Sequence, residues 1–338
     1  MLNVSSKKIV LLGTGGTIAG SAADADDNLG YTAAQVGVAQ LLSSVPARPR
    51  AQFEVVAEQV AQLDSKDMSF ALWRQLALRC AHWLAQSEVQ GVVIAHGTDT
   101  LEETAYFLQS VLPANLTSGK PVVLTCAMRP ASSRFADGPQ NLSDALALAA
   151  HAGASGVLVV CAGVIHGASA VQKVHPYRLD AFDSGEAGPL GFVEEGHARW
   201  VNTSVQAGST CEPKVSALEV VAALDHWPRV EIVMNYAGAS GAMVDAMVAH
   251  PGSASDPLRG LVVAATGNGT VHCDLEAALL RAQVAGVRVV LASRCSYGRV
   301  LPRSDAQFPD SGGLSAVKAR VALMLELMGP NLAPEGGG

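Results

Sequence analysis

Short runs of consecutive apolar residues alternate with longer stretches of helical period along most of the chain. Ile9-Val10-Leu11-Leu12, Val92-Val93-Ile94-Ala95, Val122-Val123-Leu124 and Val157-Leu158-Val159-Val160 are continuous and β-rich, not alternating. A strand that is apolar on both faces fits a parallel sheet covered by helices on each side. Between these runs, residues 67–87, 101–112 and 140–152 space their apolar positions for helices. Strand and helix in turn predict right-handed βαβ units in a doubly wound sheet.

The pattern lapses over 204–228, where Ser204-Val205-Gln206-Ala207-Gly208-Ser209-Thr210 precedes Glu212-Pro213. This stretch reads as a linker. Alternation then resumes with strands at Val230-Glu231-Ile232-Val233-Met234, Gly260-Leu261-Val262-Val263-Ala264 and Val287-Arg288-Val289-Val290-Leu291, and helices near 274–285 and 314–328. The expected fold class is α/β with two doubly wound domains. A larger N-terminal domain (1–203), on a parallel-type sheet, carries most candidate site residues. The linker (204–228) leads to a smaller C-terminal α/β domain (229–338). The Gly/Pro-rich end from Gly329 to Gly338 is expected to fray.

Composition narrows the class. The chain has 338 residues, 49% of them apolar, enough for a core in each domain. Its net charge of −7 leaves no basic stripe for nucleic acid. No run of about 20 apolar residues predicts a membrane span. The first residues, Met1 to Lys8, lack the pattern of a secretory signal, so a cytoplasmic location is expected. The six Cys (80, 126, 161, 211, 273, 295) are far apart and form no CxxC pair. Neither a disulfide framework nor a zinc site is expected, and no metal or cofactor is implied. Most of these Cys read as small buried hydrophobes.

Four segments carry candidate chemistry. Gly13-Thr14-Gly15-Gly16-Thr17-Ile18-Ala19-Gly20 follows a strand directly. A dinucleotide fingerprint fails there, because its third Gly would fall at Ile18, and G-K-[ST] is absent. The hydroxyls of Thr14 and Thr17 sit where open α/β sheets build their sites, at a strand's carboxyl end; either could instead cap a helix. His96-Gly97-Thr98-Asp99-Thr100 repeats the arrangement, and Thr100 with Glu103 has capping-box spacing. That leaves Thr98 and Asp99 without a structural role. His96 is either a base or a satisfied core residue.

Lys173 is one of only seven Lys, and the others look peripheral. A Lys beside a Thr can serve as its base. In Leu63-Asp64-Ser65-Lys66-Asp67, Asp64 or Ser65 can cap the next helix, and Ser65 can bind a carboxylate. The small, acidic stretch Gly20–Gly30 is a solvated loop or a mobile lid joined to Tyr31. Two strand-end Thr, an Asp, a Lys and a lidded Tyr form a set suited to acyl transfer.

On Gly15-Gly16-Thr17-Ile18-Ala19-Gly20, His96–Thr100 with Glu102–Leu108, Ala127-Met128-Arg129-Pro130, Asp137-Gly138-Pro139 with Asn141-Leu142, Gly267-Asn268-Gly269 and Ser293-Arg294, the sequence resembles the bacterial-type L-asparaginase family, which includes glutaminase-asparaginases. The resemblance covers residues 8–328. It implies hydrolysis of L-asparagine to L-aspartate and ammonia through a threonine acyl-enzyme. It also implies a homotetramer built as a dimer of dimers, with a small-molecule substrate. By the same resemblance Thr17 is the nucleophile, Tyr31 its lid partner and Ser65 the holder of the α-carboxylate. Thr98, Lys173 and Asp99 form a second triad, Asp99 also binds the α-amino group, and the Ala127 backbone contacts the side-chain amide.

Three positions depart from periplasmic members of the family. Lys66 follows Ser65 where Gln is frequent, Cys295–Asp310 contains no Glu, and Gly238 stands where Asn is frequent. Lys66 is thereby expected either to pair with the substrate α-carboxylate or to repel its α-amino group, the ammonium to rest mainly on Asp99, and Arg299 has no assigned role. Alternatives are a glutaminase-asparaginase, a non-catalytic amino-acid-binding protein on the same fold and, remotely, a nucleotide-dependent oxidoreductase.

Overall fold

The structure is a computed structural model that describes residues 7–46, 53–202, 217–249 and 256–329. The chain forms two compact units, Met1–Glu212 and Pro213–Gly338.

In the first unit the continuous apolar runs become strands β1 (Lys8–Gly15), β3 (Val89–Ala95), β4 (Val122–Thr125) and β5 (Val157–Cys161). Ile9 to Leu12 and Val92 to Ala95 have no exposed surface, as both-face burial requires. A further parallel strand, β2 (Glu54–Leu63), pairs with β1 at the sheet edge. Its apolar residues alternate with Glu54, Glu58, Gln59 and Gln62, so it lacks the continuous signal. Beyond β5 the sheet continues antiparallel through β6 (Val164–Gly167), β9 (Gly191–Glu194) and β10 (His197–Trp200), in the order β10-β9-β6-β5-β4-β3-β1-β2. β7 (Gln172–Lys173) and β8 (Phe182–Asp183) form a separate antiparallel pair.

The helices of this unit are α1 (Val38–Ser44), α2 (Phe70–Leu84), α3 (Leu101–Val111), α4 (Ala114–Thr117) and α5 (Gly138–Ala149). The helix expected over 67–87 is shorter because Ser69 caps it, its hydroxyl accepting from Leu72 N–H at 3.3 Å. On one sheet face Trp73 of α2 stacks on Phe107 of α3 at 5.0 Å between ring centres. On the other, Leu142, Ala145 and Leu146 of α5 join Ile9, Leu11, Ile18 and Val93 in one core.

The second unit holds a three-stranded parallel sheet, β11 (Arg229–Met234), β12 (Leu258–Ala265) and β13 (Arg288–Ser293), in that order. Its helices are α6 (Ala217–Ala223), α7 (Ala242–Ala249), α8 (Cys273–Val284) and α9 (Ala316–Met328). The linker expected over 204–228 lies partly outside the described residues, and 217–223 within it is α6. The expected peripheral Lys318 is instead fully buried on α9. The frayed end expected from Gly329 lies outside the described residues from 330 on. No described helix is long and apolar enough to cross a membrane.

Two glycines fix how β1 and β3 end. Gly16 has φ +81°, and a Cβ there would lie 2.2 Å from the Cα of Gly97. A left-handed conformation costs a non-glycine residue about 1–2 kcal/mol, and clashing backbone atoms cannot rotate away. Gly16→Ala is therefore expected to lower unfolding free energy by about 3 kcal/mol or more, read from urea midpoints. Unchanged stability would refute this close approach.

Candidate active site

The site is built where β1, β2, β3 and β4 end, with β7 adding a side chain from the antiparallel part. After β1 the chain turns through Gly15 and Gly16 into a 3-10 turn, Thr17–Ala19. Thr17 is buried, and its Oγ1 lies 2.6 Å from the Tyr31 hydroxyl. Tyr31 closes the Gly20–Gly30 segment, whose ends are joined by a two-bond bridge between Ser21 and Thr32. Gly20 leaves room for the ring: a Cβ there would meet Tyr31 Cδ2 at 2.7 Å.

Thr14 points elsewhere. Its hydroxyl donates to the Ala95 carbonyl at 3.1 Å, tying β1 to β3.

After β2, residues Ser65–Asp67 form a second 3-10 turn, with Asp64 as its cap. Ser65 does not cap a helix. It is buried, and its Oγ accepts from Asp99 N–H at 3.2 Å. The Thr100 hydroxyl donates to the Ser65 carbonyl at 2.8 Å. This corrects the capping-box expectation: Thr100 stands at the N-cap of α3 but makes no cap bond, because its hydroxyl binds across to the next turn. Lys66 donates to Asp64 at 3.2 Å and to Asp67 at 2.9 Å on the exposed side of the turn. Its charge is thus shared with two neighbouring carboxylates.

After β3, Thr98 is buried beside the half-exposed Asp99 carboxylate. Lys173 Nζ, carried in on β7, donates to Thr98 Oγ1 at 2.8 Å and to Asp99 Oδ1 at 2.6 Å. The Lys173 N–H also donates to Glu102 Oε1 at 3.3 Å, a contact that sequence reasoning did not anticipate.

His96 is a structural residue, not an exposed base. Its Nδ1 donates to the Gly97 carbonyl at 2.7 Å. Its Nε2 meets the Thr104 hydroxyl at 3.0 Å, and that hydroxyl accepts from Trp73 Nε1 at 2.9 Å. The chain of donors runs one way only with a neutral ring. Burial agrees, pushing the imidazole down to about 4.

After β4, Ala127 is buried, and Gly138 leaves room between it and Ile18. The turn is held from below. The Asp137 carboxylate accepts from Met128 N–H at 2.9 Å and Arg129 N–H at 3.0 Å. Asn141 Nδ2 donates to the Cys126 carbonyl at 2.9 Å, and Asn141 Oδ1 accepts from Ala162 N–H at 3.0 Å. Among the described cysteines Cys80, Cys126 and Cys161 are buried, as small apolar residues would be, while Cys273 and Cys295 are exposed.

Of the sequence-predicted residues, Thr17, Tyr31, Ser65, Thr98, Asp99, Lys173 and Ala127 all belong to this one constellation. Thr17 and Thr98 each follow one of the two glycines in contact. Chemically the constellation offers a hydroxyl paired with a phenol, a hydroxyl paired with an ammonium, an exposed carboxylate and a buried serine. In the second unit, Gly238 has φ +74° with open space around it. Asn tolerates that conformation as well.

Family comparison agrees with the geometry. Residues 8–206 match the model for "Asparaginase, N-terminal", and residues 229–331 match "Glutaminase/Asparaginase C-terminal domain". The L-asparaginase 2 of Bacillus subtilis is 36% identical over 96% of this chain and 83% of its own. The glutaminase-asparaginase of Pseudomonas fluorescens is 34% identical over 94% of this chain and 86% of its own. The crystal structure of a probable cytoplasmic L-asparaginase from Campylobacter jejuni superposes with a TM-score of 0.85 at 36% identity, covering 95% of both chains.

Two buried groups near the site give opposite acid responses. His96 titrates near 4 when folded and near 6.5 when free, so the unfolded chain binds the extra proton between these values. Its share of stability, about 3 kcal/mol at most, is lost as pH falls through that window. Burial holds the Asp144 carboxyl of α5 up to about 6 against the ordinary 3.8. There the folded chain binds the extra proton, and stability rises as pH falls from 6 toward 4. Asp144→Asn is expected to raise the urea midpoint above pH 6. It should also steepen the loss between pH 6 and 4.5 relative to wild type. A parallel pair of pH profiles would count against this assignment.

Proposed function

The chain belongs to the asparaginase/glutaminase family, and from that premise we propose that it is an L-asparaginase working through a threonine acyl-enzyme. The observation that carries the mechanism is the 2.6 Å contact between Thr17 Oγ1 and the Tyr31 hydroxyl. In this reading Thr17 Oγ1 attacks the side-chain amide carbon and gives its proton to the Tyr31 oxygen, while Tyr31 passes its own hydroxyl proton to the amide nitrogen. The amide nitrogen leaves as ammonia, and the β-aspartyl group remains on Thr17 as an ester. A water beside Thr98 and Lys173 then attacks that ester, releasing aspartate and restoring the Thr17 hydroxyl.

The roles of the other groups follow from what each has free. The Asp99 carboxylate is half exposed and suits the substrate's α-ammonium group. The buried Ser65 hydroxyl suits its α-carboxylate. The fixed Ala127 turn suits the reacting amide. The choice of Thr17 for the first attack is supported by its partner, because the Tyr31 contact is neutral and sits beneath the Gly20–Gly30 segment. Thr98, by contrast, shares its hydroxyl with an ion pair. A homotetramer and a cytoplasmic location complete the proposal. The second is supported by the likeness to the Campylobacter jejuni protein, whereas a relative from Haemophilus influenzae is described as periplasmic.

Ammonia release from L-asparagine and L-glutamine, measured side by side, is the deciving assay for substrate class. Release mainly from asparagine is the expected result. Equal release from both would move the assignment to a glutaminase-asparaginase, because one methylene is worth only about 1–3 kcal/mol in a pocket. Thr17→Ala is expected to lower turnover by about a thousandfold or more, with the melting temperature kept. Full turnover in that variant would remove Thr17 from the mechanism.

A further inference from the structure

The Gly20–Gly30 segment carries three carboxylates, Asp24, Asp26 and Asp27, over the Thr17 turn. Two of them shape the segment itself. Asp24 Oδ1 accepts from Asp26 N–H at 2.9 Å. Asp27 Oδ1 accepts from Leu29 N–H at 2.9 Å and Gly30 N–H at 2.7 Å, and these bonds hold its carboxyl below the usual range.

Asp26 does something different. Its Oδ1 accepts from Arg134 Nε at 2.6 Å, across 108 positions of sequence. Two more bonds join the same pair of segments. Ala22 N–H donates to Ser132 Oγ at 2.8 Å, and Arg134 N–H donates to the Ala25 carbonyl at 3.2 Å. The three bonds span residues 22–26, starting one residue beyond the Ser21–Thr32 bridge at the segment's base.

The other side of this contact is a fixed platform. Residues 128–137 are pinned at one end by Asp137 on Met128 and Arg129. Within them, Ser133 N–H donates to the Pro130 carbonyl at 2.9 Å and Arg129 Nη1 donates to the Phe135 carbonyl at 3.2 Å. The same turn presents Ala127. Arg134 therefore joins the acidic segment to a turn held by its own hydrogen bonds.

We infer that Arg134, seconded by Ser132, is a positioning latch that holds the Gly20–Gly30 segment down so that Tyr31 stays in contact with Thr17. Arg134 touches no reacting atom in this arrangement and acts through Asp26 and the segment. The ion pair is exposed on both sides, 65% and 64%, so it is weak alone and screened by salt. Its effect comes from acting together with the two neutral bonds. A latch of this strength lets the segment open for substrate and product. The kinetic part of this inference rests on the amidohydrolase reading above; the structural part does not.

The test compares wild type with Arg134→Ala, Arg134→Lys, Ser132→Ala and the exchanged pair Asp26→Arg/Arg134→Asp. Hydrogen exchange measured by mass spectrometry gives the structural readout. Arg134→Ala is expected to speed exchange over residues 20–31 by about threefold to tenfold, with β1 and β3 unchanged and the melting temperature within about 2 °C. An ion pair of this class shifts an equilibrium by up to about fivefold, and weaker cooperation with the two bonds beside it adds to that. Ammonia release gives the kinetic readout. The same variant is expected to lose about threefold to tenfold in kcat/KM, while Arg134→Lys and the exchanged pair recover most of it. Molar sodium chloride should lower wild-type kcat/KM toward that of Arg134→Ala and leave the variant little changed. Ser132→Ala should free the Ala22 amide. Wild-type exchange over 20–31 in Arg134→Ala would overturn the latch. Faster exchange with undiminished kcat/KM would overturn its role in positioning Tyr31. Failure of wild type to release ammonia would instead defeat the amidohydrolase reading, and exchange would still decide the latch.

Discussion

The close approach of Gly16 to Gly97 is the constraint on which the site depends. Two parallel strands end side by side, and each hands its chain to a turn that carries a threonine. Any side chain at Gly16 would drive its Cβ to 2.2 Å from the Gly97 Cα, and one at Gly97 would meet Ser65 Oγ at 2.5 Å. The same absence of Cβ atoms therefore sets the spacing of three turns at once. Hydrogen bonds then lock them: Thr14 to Ala95, Thr100 to Ser65, and Asp99 N–H to Ser65 Oγ. Two of these three hydroxyls are spent on backbone carbonyls, which leaves Thr17 and Thr98 as the hydroxyls of the two turns whose partners are side chains able to carry protons.

The two threonines sit in different electrostatic surroundings. Thr17 faces a phenol, a neutral partner on a segment held by exposed contacts. Thr98 faces the Lys173–Asp99 ion pair, anchored by a strand and by Glu102. In the proposed acyl transfer the first setting would serve attack on the amide, and the second, polar and charged, would order the water that hydrolyses the ester. The sequence-level set of candidates did not distinguish these settings, since both motifs read as a strand, a glycine and a threonine.

What was legible in the chain was the buried part. Runs such as Ile9–Leu12 and Val92–Ala95 announce parallel strands because both their faces are apolar, and the candidate residues at their ends followed from that. The edges were not legible. β2 intersperses polar residues among its apolar ones at the sheet edge, and β6, β9 and β10 are only four residues each. Local signals also misled where a tertiary partner overrode them. Thr100 has the spacing of a capping box, yet its hydroxyl crosses to Ser65. Arg134 carried no signal, because its partner lies 108 positions away and an arginine on a loop is ordinary in sequence.

These observations divide the site into a floor and a roof with different physical origins. The floor is backed by buried, fully directed hydrogen bonds. The Trp73–Thr104–His96–Gly97 chain is one example, in which a neutral imidazole fixes the peptide ahead of Thr98. The Asn141–Cys126 bond does the same for the Ala127 turn. Breaking any of them would leave a buried polar group unpaired, a penalty of about 1–3 kcal/mol each. The roof is held by exposed and screened contacts that are individually weak. Rigid groups beneath and a loosely held segment above are what a covalent mechanism demands, since preorganisation must persist through the reaction while substrate and product still pass. The placement of Tyr31 at the boundary is therefore the informative feature. It stands at the base of the roof, against Gly20 and beside the Ser21–Thr32 bridge, so the segment that forms the roof also carries the partner of Thr17.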